Sequence, residues 1–282
     1  SLLWVLNKTR TAMGSRMLRS WLEKPLLSPK KIGRRLSAVQ ELTRTAILRQ
    51  EVIELLGGIS DFERVLARVV TGSANARDLL SMESGCRPLT ELRAATGRFN
   101  GSLFTVLQEE MDDLTDLRDA IAATIKEDAP LTLRDGGLIR PGCNEELDRL
   151  HDILSGGKGT LAQIEAEEKE KTGIKNLRVG YNSVFGYYIE VRNMHKDNVP
   201  AEWIRKQTLA NAERFITPEL KEYEDKILGA EEKILSIETR LYMQLVEELC
   251  QYIRPLQQNA EILSQLDVLS NFASISARYG YN

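Results

Sequence analysis

The sequence has little of what most catalytic and metal chemistry needs. Of its 282 residues only two are histidine, His151 and His195, and three are cysteine. Two imidazoles so far apart exclude His-rich metal sites and argue against Ser-His-Asp catalysis. Cys86, Cys143 and Cys250 are odd in number and widely spaced. That argues against a disulfide framework and for a reducing, cytoplasmic setting. No stretch approaches the roughly 18 consecutive apolar residues of a membrane span. Ser1 is not a start methionine and no secretory leader follows it, so the chain reads as a piece of a longer protein. Phosphate loops are missing as well. Gly156-Gly157-Lys158-Gly159-Thr160 has glycine where a Walker loop needs Ser or Thr, and no strand precedes it. No Cys/His cluster and no isolated carboxylate pair stands out, so the residues alone point to no enzyme and no resident metal or cofactor.

What is present is charge and helix-forming residues. Charged residues make up 28% and the net charge is −3, but the distribution is uneven. Residues 1–50 hold 11 basic residues against Glu23 and Glu41, a net of +9. Residues 171–221 are +4, and the remainder is strongly acidic. The length suits about two domains. Aromatics are only 6%, while Leu, Ala, Glu, Lys and Arg recur, which favours helices.

The periodicity predicts a mainly α fold. Residues 1–23 read as one helix ended by Pro25. Ser28-Pro29 starts a second over 28–42, and others follow over 44–56, 61–69, 75–85, 88–96 and, as one or two helices, 103–126. Turn residues dominate 133–142. Leu147, Leu150, Leu154, Gly157, Leu161 and Ile164 then form a heptad seam. Residues 165–171 are nearly all charged and read as a solvated extension of that helix. A second seam runs Leu220, Tyr223, Ile227, Ala230, Ile234, Ile237 and Leu241, in a helix opened by Thr217-Pro218 and about 45 Å long. Arg254-Pro255 breaks it, and a last helix runs to about Ala277.

Between the seams lies the one β signal. Leu177, Val179 and Tyr181 alternate with polar neighbours, as do Tyr187, Ile189 and Val191. Ser183-Val184-Phe185-Gly186 is the turn of a hairpin. A further extended piece covers Gln207 to Ile216. Two long antiparallel helices with the β insert at their tip is the economical arrangement; a globular bundle with the hairpin over one end is the alternative. The insert is basic, with Lys171, Lys175, Arg178, Arg192, Lys196, Arg205, Lys206 and Arg214, and Gln207, Thr208 and Asn211 add neutral donors. Such a set suits phosphate contact, or it serves solubility alone. His195 reads as a loop residue rather than a phosphate ligand. Tyr181, Tyr187 and Tyr188 read as the hairpin's half-buried face rather than a base-stacking platform. The basic residues of 1–50 read as helix surfaces packing on neighbouring acidic domains, with direct DNA contact the lesser reading.

Leu3-Trp4-Val5-Leu6 and Thr9-Arg10-Thr11-Ala12-Met13-Gly14-Ser15-Arg16-Met17-Leu18-Arg19-Ser20-Trp21-Leu22 resemble the start of the core, or lever, domain of the bacterial MutS mismatch-repair family. Lys171 to Lys175, Val179 to Asn182, Phe185 to Ile189 and Arg205 to Phe215 resemble its clamp domain. The resemblance covers essentially the whole chain. It implies a lever over 1–136 and 226–282 with a clamp over 137–225 inserted between long helices. It implies non-specific contact with the backbone of double-stranded DNA, and coupling of that contact to an ATPase domain outside this chain, where ATP and Mg would bind. The fragment itself would be no enzyme. A second MutS subunit, a MutL-type partner and a bacterial cytoplasmic, nucleoid-associated setting are implied for the full-length protein. Lys206 and Asn211 are implied phosphate contacts. Arg205, Gln207, Thr208, Lys171, Lys175 and Arg178 join them on charge and donor chemistry. Ala210 stands where relatives often carry lysine. The family's F-x-E mismatch-reading motif is absent. The rival reading is a helical scaffold that dimerises through the two seams and binds no DNA.

Overall fold

The computed structural model describes residues 2–281, and within them nothing is said of the side chains of residues 157 and 158. In chain order the helices are α1 (Leu2–Leu6), α2 (Ala12–Glu23), α3 (Pro29–Arg44), α4 (Ala46–Leu56), α5 (Phe62–Val70), α6 (Ala76–Cys86), α7 (Leu89–Thr96), α8 (Ser102–Glu110), α9 (Thr115–Thr124), α10 (Glu145–Thr172), α11 (Pro218–Leu249) and α12 (Ile253–Tyr279). The strands are β1 (Arg178–Asn182), β2 (Gly186–Arg192), β3 (Ile204–Thr208) and β4 (Ala212–Ile216). The fold is therefore mainly α with one small antiparallel sheet, as the periodicity predicts. The chain divides into two compact units, residues 1–140 with 241–282, and residues 141–240.

The first unit is built on α12. Apolar side chains are buried all around this helix, from Leu256 through Leu263, Leu266 and Leu269 to Ile275, so it needs neighbours on every side. It packs against α2, α3, α4, α5 and α8. It also buries Asn259, Asp267 and Asn271, and each of these polar groups ties down irregular backbone. Asn259 exchanges two hydrogen bonds with the backbone of Asp112, at 2.9 and 2.7 Å. Asn271 accepts from Lys8 N–H at 2.9 Å and donates to the Leu6 carbonyl at 2.8 Å. Asp267 accepts from Thr11 N–H and the Thr11 hydroxyl, both at 2.7 Å, and from Arg10 N–H at 2.9 Å.

These contacts correct the reading of residues 1–23 as one helix. The backbone N–H groups of Arg10 and Thr11 bond to Asp267 of α12, and Lys8 N–H shares its bond between the Leu6 carbonyl and Asn271, so the chain bends and restarts at α2. Thr11 caps α2 by accepting from Gly14 N–H at 2.8 Å. A Cβ on Gly14 would lie 2.2 Å from Asp267 Oδ2, so only glycine allows this approach. The last break is displaced too. The chain interrupts at the 3₁₀ turn Cys250–Tyr252, and Pro255 sits in the first turn of α12, where its missing N–H costs nothing.

The second unit joins α10, the sheet and α11 as far as Arg240. Lys171 Nζ lies 3.4 Å from Glu219 near one end of the helix pair, and His151 lies 4.0 Å from Glu238 toward the other, so α10 and α11 run antiparallel. Ile227, Ala230, Ile234 and Ile237 are buried, whereas Leu150, Leu154, Leu161 and Ile164 are half-buried. The seam position at Gly157 lies outside the described side chains. α10 runs unbroken through Gly156 to Thr160, which leaves no loop of free N–H groups to cradle a phosphate.

The sheet order is β1-β2-β4-β3, two hairpins joined through β2 and β4. The stretch read as one extended piece from Gln207 is thus two strands, because Leu209-Ala210-Asn211 turns the chain back. Ile189, Val191 and Phe215 face a core completed by Ile174, Leu177, Trp203 and Leu220. The charged run 165–171 is also not wholly solvated. Glu168 is 3% exposed, and Glu165 accepts Val179 N–H at 2.9 Å, because the start of β1 lies against that face of α10.

Candidate nucleic-acid interface

The two ends of the sheet differ in what they present. At one end the β1–β2 turn, residues 183–185, meets α11. Gly186 makes the sharp return with φ +72°, a conformation that favours glycine. The next N–H, of Tyr187, donates to Glu224 Oε1 at 2.9 Å. Lys206 reaches into the same place. Its Nζ donates to the Phe185 carbonyl at 2.6 Å and the Tyr187 carbonyl at 3.4 Å, and lies 3.5 Å from Glu224 Oε2. Lys206 therefore points along the sheet into the turn.

At the opposite end the starts of β1 and β4 and the ends of β2 and β3 come together. Arg178 opens β1, Arg192 closes β2, Thr208 closes β3, and Asn211 precedes β4. The 3₁₀ segment Asn193–Asn198 covers this end with Lys196 and half-buried His195. Asn193 fixes it to the β3–β4 turn, donating its N–H to the Asn211 carbonyl at 3.2 Å and its Nδ2 to the Ala210 carbonyl at 3.0 Å. Lys175, Arg178, Arg192, Lys196, Thr208 and Asn211 are all exposed. None of these four cations is in an ion pair among the described residues.

The remaining basic residues of the insert are engaged. Lys171 pairs with Glu168 at 3.2 Å and Glu219 at 3.4 Å. Glu168 holds the Lys171 ammonium above its ordinary range, with Glu219 adding to the effect. Arg205 lies 3.6 Å from Glu213. Arg214 donates to Glu190 at 3.0 Å and to the Gln207 side-chain Oε1 at 2.9 Å, and its guanidinium lies 4.1 Å from the Tyr188 ring centre. Burial pushes the Glu165 carboxyl up, but Lys169 and the Val179 N–H outweigh it and leave it below the ordinary range.

The tyrosines divide as strand geometry requires. Tyr187 packs with Tyr181 and Tyr223, at ring distances of 5.0 and 5.4 Å, on the core side. Tyr188 lies on the other face over Gly180, where a Cβ would meet its ring at 2.8 Å. That corrects the reading of all three tyrosines as one face.

The sheet thus brings Arg178, Thr208 and Asn211 to one end, with Lys175 in the segment leading into β1. It leaves Lys171 with the helices, and it turns Lys206 into the β1–β2 turn. Arg205 and Gln207 stay on β3 with partners of their own. Asn193 was not singled out by the sequence. An asparagine after a strand carries no signal until the turn it bonds is known.

Comparison with known proteins gives this unit a context. The model of MutS domain III matches residues 1–273. The chain belongs to the MutS family. Among curated relatives, the DNA mismatch repair protein MutS of Ruminiclostridium cellulolyticum is 44% identical over 281 residues, covering 100% of this chain and 32% of the relative. MutS of Desulforamulus reducens is likewise 44% identical over 281 residues, with the same coverage. MutS of Lactobacillus johnsonii is 45% identical over 282 residues, covering 100% of this chain and 33% of that protein. The chain therefore spans about a third of the length of these MutS relatives. No described helix is long and apolar enough to cross a membrane.

Proposed function

We propose that residues 137–225, which make up most of the second unit, are the clamp of a MutS mismatch-repair protein and residues 1–136 and 226–282 its lever. In this reading the sheet end carrying Lys175, Arg178, Arg192, Lys196, Thr208 and Asn211 lies against the phosphate backbone of duplex DNA. Arg205 and Gln207, on the neighbouring edge strand, extend that surface. The observation that carries the reading is the grouping of four exposed cations without ion-pair partners around a polar turn. Phosphate oxygens would serve as the acceptors for these cations, a contact that positions the chain on a duplex without reading its sequence. In this reading the chain is no enzyme by itself. Its helices pass the state of the DNA contact to an ATP-binding domain elsewhere in the full-length protein, where a second subunit would close the ring around the duplex and a MutL-type partner would act.

The scaffold alternative is less well supported. The two seams lie in antiparallel helices of one chain, and Leu220, Ile227, Ala230, Ile234 and Ile237 of the α11 seam are already buried in the monomer. The test is anisotropy titration of matched and G·T-mismatched duplexes at several salt concentrations. About four phosphate contacts give a log K against log salt slope of roughly −3 to −4, equal for both duplexes. Lys175→Ala, Arg178→Ala and Asn211→Ala should each weaken binding, the first two also reducing the slope by about 0.9. Absence of binding at low salt, or a slope near zero, would overturn the proposal.

A further inference from the structure

We infer that Lys206 and Glu224 form a latch that fixes the β1–β2 turn to α11, which makes Lys206 a positioning residue for the distal end of the sheet rather than a phosphate ligand. The inference rests on the clamp reading and deepens it, because it names the contact through which α11 holds the DNA-facing end in place.

The geometry closes on itself around one glutamate. Glu224 is 9% exposed, deep enough that an unpaired carboxylate would be costly. Its Oε1 takes the Tyr187 N–H at 2.9 Å and its Oε2 lies 3.5 Å from Lys206 Nζ. The same ammonium donates to the Phe185 and Tyr187 carbonyls, at 2.6 and 3.4 Å. One cation therefore hydrogen-bonds both carbonyls flanking Gly186 and forms an ion pair with the carboxylate beneath it. A Cβ on Gly186 would sit 1.7 Å from Glu224 Oε1, so the turn can seat on the carboxylate only through glycine.

Three elements meet here. Lys206 comes from β3, the turn from β1 and β2, and Glu224 from the second turn of α11. The strands run from this point to Arg178, Arg192, Thr208 and Asn211. A sheet is stiff along its strands, so a shift of α11 at Glu224 carries the whole sheet rather than the turn alone. Beside the latch, Tyr223 of α11 packs edge-on against Tyr187, at 5.4 Å between rings. Lys206 itself is directed inward, with 22% of its side chain exposed.

The experiment compares Lys206→Met, Glu224→Gln, the double variant and Lys206→Arg in the 282-residue chain. The first readout is hydrogen exchange at the Tyr187 amide without DNA. Exchange should rise about tenfold in Lys206→Met and in Glu224→Gln, no further in the double variant, and stay near the parent value in Lys206→Arg. The second readout is duplex affinity against salt. Lys206→Met should weaken binding several-fold with the salt slope unchanged, since no phosphate contact is lost. A slope reduced by about 0.9, with Tyr187 exchange unchanged, would make Lys206 a phosphate ligand and overturn the inference. Additive exchange effects in the double variant would also overturn it. If the parent binds no duplex, the clamp reading fails, and the exchange data still decide whether the latch exists. Far-ultraviolet circular dichroism of each variant separates loss of the latch from loss of the fold.

Discussion

Replacing Asp267 with alanine tests the account of the first unit most directly. The carboxylate accepts two hydrogen bonds from Thr11 at 2.7 Å and one from Arg10 at 2.9 Å. Thr11 is 5% exposed, so its N–H and hydroxyl would lose their acceptor inside the protein, whereas the exposed Arg10 N–H finds water. A buried donor without a partner costs about 1–3 kcal/mol, and relief of the buried charge returns part of that. The expected net loss is about 3 kcal/mol, or a melting temperature lower by about 6–12 °C. Asp267→Asn keeps a carbonyl oxygen in reach and should lose about half as much. Urea unfolding followed by tryptophan fluorescence reports the change, and amide exchange at Gly14 and Ser15 localises it to the start of α2. A loss below about 1 kcal/mol in Asp267→Ala would refute the claim that this carboxylate sets the bend between α1 and α2. The pH dependence gives a second check. Burial pushes the Asp267 carboxyl above its ordinary range despite the Arg10 and Thr11 donors. Its contribution to stability is therefore greatest below the ordinary carboxylate pKa and declines as pH rises through the folded value. Asp267→Ala should remove that decline.

Gly14→Ala places a methyl 2.2 Å from Asp267 Oδ2 and 2.7 Å from its Cγ, so α2 must move off α12; thermal unfolding should show about 2–3 kcal/mol of destabilisation. Gly186→Ala combines a left-handed backbone, costing about 1–2 kcal/mol, with the collision against Glu224. Adding Glu224→Ala should relieve the collision but not the backbone cost, as measured by Tyr187 exchange. For Asp61, burial raises the carboxyl, but hydrogen bonds from Arg16 and the Arg64 amide outweigh it and hold the group below its ordinary range. Its stabilisation is present above that range and lost as pH falls through the folded value. Arg16→Met should therefore move the acid-unfolding midpoint upward in pH, by an amount worth under about 1 kcal/mol because Arg16 is half exposed.

Helices were legible in the sequence because their signals are local. A cap, a proline in the first turn or a glycine after the last is a matter of a few neighbouring residues. That is why α3 begins at Pro29 and α11 at Pro218, as the sequence predicts. The hairpin from Arg178 to Arg192 was legible for the same reason, since period-2 alternation and a turn glycine lie within one stretch. The motifs of the insert and of residues 3–22 were enough to carry the family resemblance.

Distant partners were not legible. The bend at residues 7–11 exists because Asp267 and Asn271 accept its N–H groups, and nothing near Thr11 announces an acid more than 250 positions away. The charged run 165–171 reads as solvated until β1 is laid against it. The basic insert showed the same limit at finer scale. Sequence alone assembled eight cations, because composition counts charge. Only the folded sheet separates the four that lie open at one end from Lys171, Arg205 and Arg214 in their ion pairs and from Lys206 in the turn. Whether a charge is available to a ligand depends on which partner folding brings within a few ångströms, and that is fixed by packing over long sequence separations.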